Sequence, residues 1–165
     1  MESPAAISPP PNNTLLPAMQ TAIRAAFGAV ISLYLAQLLH LPFPLYAMIS
    51  AVIVTDISTA GTQKLGIPRL EGTVIGAVVG VGCSMWLPAT PFAIGLGILV
   101  AMVLASLLRQ QAAAKLSGYI CGIIMLSFND DPATYALYRF LETALGIGVA
   151  MAVSFIPKLI NSKPE

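Results

Sequence analysis

The sequence predicts an all-α membrane protein with six transmembrane helices arranged as an inverted 3+3 repeat. Composition, six apolar segments and two similar stretches seventy positions apart lead to this prediction. Of the 165 residues, 57% are hydrophobic and 9% are charged, whereas soluble domains carry roughly 25% charged residues. So few charges cannot cover a surface exposed to water, and we expect a lipid bilayer to surround it. The net charge of +1 gives no electrostatic basis for a nucleic-acid partner.

Six apolar segments lie between proline-rich and polar breaks. The predicted helices cover residues 18–39, 45–60, 70–87, 92–108, 112–128 and 135–156. The first and last are long enough to cross roughly 30 Å of hydrocarbon at about 1.5 Å per residue. The second and fifth have short apolar cores, so re-entrant or broken helices remain an alternative for them. Residues 1–17 are expected to be a disordered, proline-rich lead, 18–157 the six-helix block and 158–165 a short cytoplasmic tail.

The distribution of basic residues sets the expected orientation. If the six segments alternate across the membrane, the connection that precedes the sixth segment contains no Lys or Arg, and Arg139 lies at that segment's edge. The opposite side receives Lys64, Arg69, Arg109, Lys115, Lys158 and Lys163. Because basic residues concentrate on the cytoplasmic side, we expect both termini in the cytoplasm of a multi-pass protein in the plasma, or inner, membrane.

An internal repeat is indicated by RLEGTVIGAVVG, which starts at Arg69, and RFLETALGIGVA, which starts at Arg139. The two stretches share Arg, Thr, Gly and Val at matching positions, including Thr73 and Thr143. Since each half has three segments, the second half must be inverted in the membrane. Transporters built in this way bind their substrate near mid-membrane, between the repeats. We expect Arg69 at the cytoplasmic mouth and Arg139 at the outer mouth.

The polar residues within the apolar segments are the candidate residues of a substrate pathway. These are Arg24, Arg69, Glu71, Thr73, Arg139, Glu142 and Thr143. A guanidinium stays charged and can hold a carboxylate with two parallel hydrogen bonds. The two threonines lie one turn deeper on the same helix faces as the arginines and could then hydrogen-bond the anion.

Structural roles remain open for the same charges. Arg69 could anchor its helix at the interface, and Arg24 could extend toward the cytoplasmic surface. Arg139 could pair with Glu142 or with an aspartate before its helix, and Glu71 could pair with a cation elsewhere, such as Arg24.

The other chemically active residue types give no pattern of a catalytic, cofactor or metal site. Cys83 and Cys121 lie apart in apolar segments and are expected to be reduced core residues. His40, the single histidine, lies at the end of the first segment and fits a loop or interface position. An enzyme is therefore not expected.

Residues 44–80 resemble the fusaric acid resistance and aromatic acid exporter family. The resemblance is carried by Tyr46, the apolar residues 49–54, the polar turn 55–58 and the RLEGTVIGAVVG stretch. RFLETALGIGVAMAV is similar to the second-half signature, so the likeness covers residues 18–157. It implies export of small organic anions, aromatic carboxylic acids among them. The aluminium-activated malate channels of plants, which are distantly similar, share the six-helix block and work as dimers, which implies a homodimer here.

Two functions are consistent with these observations. The first is a transporter or channel for small organic anions, working in the direction of efflux. The alternative is a membrane scaffold or assembly subunit that transports nothing. The two differ in whether Arg24, Arg69 and Arg139 share one hydrated region or bond outward.

Overall fold

The computed structural model describes residues 15–127 and 131–156, and this part of the chain forms six α-helices. They are α1 (Leu15–Leu38), α2 (Leu45–Val54), α3 (Thr59–Trp86), α4 (Pro91–Leu107), α5 (Gln111–Leu126) and α6 (Pro132–Ser154). The expected all-helical class is confirmed. Residues 15–17, placed in the lead by the sequence, already belong to α1; the rest of the lead and the tail 158–165 lie outside the described residues.

Only three of these six helices have the length and hydropathy of a membrane span. These are α1 from Pro17, α3 and α6. The helices α2, α4 and α5 have 10, 17 and 16 residues. At about 1.5 Å per residue, α2 covers roughly 15 Å, or half of the hydrocarbon thickness. The marginal character predicted for the second segment is therefore evident in its length.

The connection between α2 and α3 differs from the prediction. α2 ends at Val54 and α3 begins at Thr59 rather than at residue 70. Asp56 forms the turn, because its carboxylate accepts hydrogen bonds from the backbone of Ile57 (2.5 Å) and Ser58 (3.5 Å). Ser58 then caps α3 by accepting from Gly61 N at 3.0 Å. This cap starts the helix early, and Pro68 is accommodated inside it.

The termini of the other helices use local hydrogen bonds. At the start of α6, Asp131 accepts from the Thr134 hydroxyl and from the backbone of Thr134 and Ala133, and these bonds lower the pKa of Asp131 below its usual value. The C-termini of α1 and α4 resemble each other: His40 (φ 53°) follows α1 and Arg109 (φ 61°) follows α4, both in the left-handed region. The backbone bonds around both residues follow the Schellman pattern. His40 therefore terminates a helix in a loop.

Helix packing corresponds between the two halves of the chain. α1 packs on α2 as α4 packs on α5, α2 on α6 as α5 on α3, and α1 on α6 as α4 on α3. α3 and α6 pack on each other and run antiparallel, because Gly66 contacts Ile147 while Thr62 is hydrogen-bonded to Ser154. Exchanging the first three helices with the last three leaves this list of contacts unchanged.

The same correspondence holds for individual glycines. A Cβ at Gly76 of α3 would lie 2.5 Å from the carbonyl oxygen of Ser117 on α5. A Cβ at Gly146 of α6 would collide with the carbonyl oxygen of Ala47 on α2. The two contacts correspond, because Gly146 lies seventy positions after Gly76 and Ala47 lies seventy positions before Ser117. Close backbone approach through small residues is how helices pack in lipid, where burial of apolar surface gives no net drive.

We predict that Gly76→Ala and Gly146→Ala each lower stability by about 1–3 kcal/mol, because a methyl group at either position overpacks a backbone contact. Gly82→Ala and Gly148→Ala are the matched controls, since a Cβ at these positions meets nothing within 4 Å. Thermal unfolding followed by circular dichroism in detergent measures the effect. Equal melting temperatures for all four variants would contradict the packing described here.

Candidate functional site

The centre of the α3–α6 crossing contains an unusual number of buried polar side chains. Arg69 and Arg139 are each 3% exposed, and Glu142 is 0% exposed. Thr73 and Thr143, one turn after each arginine, are also buried. In an apolar bundle, charged groups of this kind are costly and are typical of functional sites.

Arg139 lies beneath aromatic side chains and has free donors. Its guanidinium carbon is 3.2 Å from the centroid of the Tyr46 ring, a cation–π contact. Tyr46 OH is hydrogen-bonded to Tyr135 OH at 3.2 Å, and Phe43 packs edge-on against Tyr135 with ring centroids 5.0 Å apart. Nε and Nη1 of Arg139 are buried without a hydrogen-bond partner. The aromatic rings thus hold the cation in place while leaving it able to donate.

Glu142 does not satisfy these donors. Its Oε1 accepts a hydrogen bond from the backbone N–H of Phe43 at 2.7 Å, and its Oε2 has no partner. Although Arg139 precedes it by three positions on α6, the guanidinium Nε and Nη1 make no hydrogen bond to its carboxylate. Nε and Nη1 of Arg139 therefore do not form the ion pair with Glu142 that the sequence suggests.

Arg69 reaches the same region from α3. Its Nε donates to Ser50 Oγ of α2 at 3.1 Å, and the hydroxyl of Tyr119 on α5 lies beside its guanidinium. Ser50 lies one turn after Tyr46 on α2, so the two guanidinium groups contact adjacent turns of the same helix. Thr73 donates its hydroxyl to the Arg69 carbonyl oxygen at 2.8 Å.

Neither arginine lies at a mouth of the bundle, which differs from the expected position. α3 begins at Thr59, so Arg69 is about 15 Å along the helix at about 1.5 Å per residue. Arg139 is about 10 Å from the start of α6 by the same measure. The burial of Arg69 also excludes the role of an exposed interfacial anchor.

Two other candidate residues lie elsewhere. Arg24 donates to the carbonyl oxygens of Ile57 at 2.5 Å and Ile156 at 2.7 Å, so it joins α1 to the α2–α3 turn and to the end of α6. Glu71 accepts from Gln110 Nε2 at 3.1 Å, next to the α4–α5 connection. These two residues do not pair with each other, and neither hydrogen bond joins the buried arginine region.

Several residues of the site have no sequence signal that points to a functional role. Phe43, Ser50 and Tyr135 carry no charge and fall within apolar or loop segments, so only the packing reveals their contacts. Tyr46 belongs to the family pattern, but its position in the sequence does not predict its contact with Arg139. A useful signal was available: tyrosine hydroxyls within membrane segments usually require a partner.

The described residues contain no group of three His, Cys, Asp or Glu side chains arranged to hold a metal ion. What the site offers is a pair of buried guanidinium groups, free N–H donors and aromatic faces. This arrangement can bind a small anion through charge-assisted hydrogen bonds. The fold and the site together define an apolar helical membrane protein with a cationic, aromatic-lined interior.

Comparison with known proteins assigns the family. The model of aromatic acid exporter family member 1 matches residues 19–156. The chain therefore belongs to the aromatic acid exporter family, and the resemblance seen in the sequence is confirmed. Membership of an exporter family points to a membrane transporter rather than an enzyme.

Two curated relatives were found by sequence. UPF0421 protein YgaE of Bacillus subtilis is 25% identical over 142 residues, which is 86% of this chain and 39% of the relative. UPF0421 protein BH2644 of Halalkalibacterium halodurans is 25% identical over 113 residues, 68% of this chain and 32% of the relative. The chain thus matches well under half the length of these relatives. No solved structure matches it.

We predict that Tyr46→Leu destabilises the protein by about 0.5–2 kcal/mol, because it removes the ring that holds the Arg139 charge. Tyr46→Phe keeps the ring and loses only the bond to Tyr135, which is worth about 0.5–1.5 kcal/mol. Thermal unfolding in detergent compares the two variants with the wild type. A Leu variant as stable as the wild type would show that the aromatic contact contributes nothing.

Proposed function

We propose that this chain forms a transporter or channel that carries small organic carboxylates, aromatic ones among them, out of the cell. The observation that carries the proposal is the buried Arg139 guanidinium with two hydrogen-bond donors unpartnered. A buried donor without a partner costs roughly 1–3 kcal/mol, and more when it is charged. A carboxylate ligand would remove this cost, which is the physical basis for binding.

The position of the arginines supports a transport role. In the proposed inverted repeat, Ile147 of α6 corresponds to Ala77 of α3. Because Gly66 contacts Ile147 and the two helices are antiparallel, the middle of their crossing lies about halfway between positions 66 and 77 of α3. Arg69 and Thr73 lie at this centre, as do their counterparts Arg139 and Thr143. If α3 and α6 cross the membrane, these residues lie near its midplane, where transporters of this architecture bind their substrates.

The lining favours an aromatic substrate. Tyr46 and Phe43 are only partly buried and pack together with Tyr135 next to Arg139. Stacking of an aromatic acid on such rings adds about 0.5–1.5 kcal/mol beyond its buried area. A membrane potential that is negative inside favours anion efflux by about 2.3 kcal/mol per charge per 100 mV.

The homodimer expected from the sequence remains part of the proposal. One set of six modest helices encloses little room for an organic anion, so a second copy would widen the pathway. Native mass measurement in nanodiscs, made on the same preparations used for flux, determines the number of copies.

We predict that Arg139→Gln reduces benzoate flux in proteoliposomes roughly ten- to hundredfold, because one charge-assisted contact is worth about 1.5–3 kcal/mol. Arg139→Lys keeps the charge and should retain part of the flux. Arg69→Gln should also reduce flux, with an added loss of its bond to Ser50.

The matched control is Arg109→Gln, since Arg109 is exposed at the α4–α5 connection and lies outside the proposed pathway. All variants are compared at equal reconstituted amounts. Wild-type flux in both Arg139→Gln and Arg69→Gln would reduce the arginines to structural roles and favour a scaffold that transports nothing.

The proposal also includes both termini in the cytoplasm, which the distribution of basic residues predicts. In a background without Cys83 and Cys121, cysteines at Thr90 and Thr134 are expected to react with an impermeant maleimide from outside, and one at Gln111 is not. All three positions are exposed. Ser162, the natural choice near the C-terminus, lies outside the described residues and serves as a second internal position. External labelling of Gln111→Cys would reverse the topology.

A further inference from the structure

Among the described residues, Glu142 of α6 is the one fully buried carboxylate, and the residue that bonds to it, Phe43, lies just before α2. Its side chain is 0% exposed. Oε1 accepts from Phe43 N at 2.7 Å, and Oε2 is buried without a partner. Burying an ionised carboxylate costs several kcal/mol unless it is paired and fully hydrogen-bonded. A group in this state is expected to exchange a proton or to gain a partner during function.

The groups around Glu142 come from four helices. On α6, Arg139 and Tyr135 precede Glu142 by three and seven positions, on the same face of the helix. Tyr46 of α2 is bonded to Tyr135 and covers Arg139. Arg69 of α3 and Tyr119 of α5 adjoin this group. Within the described residues the region thus holds two guanidinium groups and one carboxylate.

The position that corresponds to Glu142 in the first half is Gly72. A Cβ there would lie 2.6 Å from Leu116 and 2.9 Å from the Ala113 carbonyl oxygen, so α5 packs directly on the helix backbone. In the equivalent packing of α2 on α6, the position of this glycine is occupied by Glu142. Helix packing of this type therefore does not itself require an acid, and the second half has one in addition.

We propose that Glu142 is a proton-binding site coupled to anion binding, so that a carboxylate binds Arg139 together with a proton taken up by Glu142. The inference rests on the proposed function, because it assumes that Arg139 receives the anion. In the balanced step, the carboxylate ligand and one proton from water join the protein. The ligand bonds to the guanidinium, and the proton attaches to Oε2 of Glu142.

Repulsion between two carboxylates is the physical reason for the coupling. Without ligand, Glu142 is the one carboxylate of this region. A bound carboxylate places a second negative charge in the same interior, where like charges repel more strongly than in water. Protonation of Glu142 removes that repulsion. It also converts Oε2 from an unpartnered acceptor into an O–H donor that can bond to the ligand.

Thermodynamic linkage then fixes what must be observed. Uptake of one proton with each anion makes anion affinity increase as pH falls, by at most tenfold per pH unit. The coupling is reciprocal, so the anion must favour protonation of Glu142 by the same factor. Glu142→Gln mimics the neutral acid and can still accept from Phe43 N, so it removes titration while keeping the structural bond.

The experiment measures benzoate binding to the full chain in nanodiscs by calorimetry, from mildly acidic to mildly alkaline pH and in two buffers of different ionisation enthalpy. The wild type is expected to take up close to one proton per benzoate. Glu142→Gln is expected to take up none and to bind with an affinity that does not change with pH. Glu71→Gln is the matched control and should behave as the wild type, because Glu71 is bonded to Gln110.

Benzenesulfonate, which stays ionised across this range, separates titration of the protein from titration of the ligand. Binding without proton uptake in the wild type, or unchanged uptake in Glu142→Gln, would overturn the coupling. If the wild type binds neither anion, the proposed function fails. Infrared titration of the ligand-free protein then decides the proton site: a protonated-carboxyl band lost in Glu142→Gln supports it, and no such band refutes it.

Discussion

The antiparallel crossing of α3 and α6 brings Arg69 and Arg139 into one interior, and the other helices are placed so that neither charge meets lipid. Because a lone guanidinium in hydrocarbon is costly, each arginine needs polar or aromatic contacts from a neighbouring helix. α2 supplies both, through Ser50 for Arg69 and Tyr46 for Arg139. The shortest helix of the fold is thus the one that covers the charged centre.

Close packing makes this arrangement possible. α5 lies on the glycines of α3, and α2 lies on Gly146 of α6, with backbone in contact with backbone. Such contacts bring short helices near enough to reach the arginines from the side. Away from this centre, Arg24 of α1 donates to the carbonyl oxygen of Ile57 in the α2–α3 turn and to that of Ile156 after α6. Arg24 thus donates hydrogen bonds to backbone carbonyl groups of the kind that a helix terminus leaves without partners.

Much of the fold could be predicted from the sequence, because apolar segments and proline breaks are local features. The six helices follow from them, and the family followed from the residues around Tyr46 and Arg69. The start of α3 differs from the prediction, because residues 59–69 contain Gly, Lys and Pro, a composition typical of a loop. The Ser58 cap and tertiary packing override that weak propensity.

The site was predicted in part, for a related reason. Charged residues in apolar segments stand out, so Arg69, Arg139 and Glu142 could be identified. Their depth could not be predicted, because it depends on where α3 begins. Arg24 and Glu71 looked equivalent to them in sequence, yet their partners, Ile156 and Gln110, are distant in the chain. Uncharged partners such as Phe43 and Ser50 have no sequence signal of their own.

The replacement of a glycine by an acid between the halves has a consequence for direction. Two identical halves would present the same barriers to an ion approaching from either face. With Gly72 in one half and Glu142 in the other, the electrostatic potential along the proposed pathway becomes asymmetric. When Glu142 is ionised, an anion on the proposed pathway meets a group of its own sign there and none at Gly72; when Glu142 is protonated, this difference disappears. For the proposed anion pathway, this asymmetry means that membrane voltages of equal size and opposite sign would drive unequal currents, while no net flux would arise at zero voltage and equal concentrations.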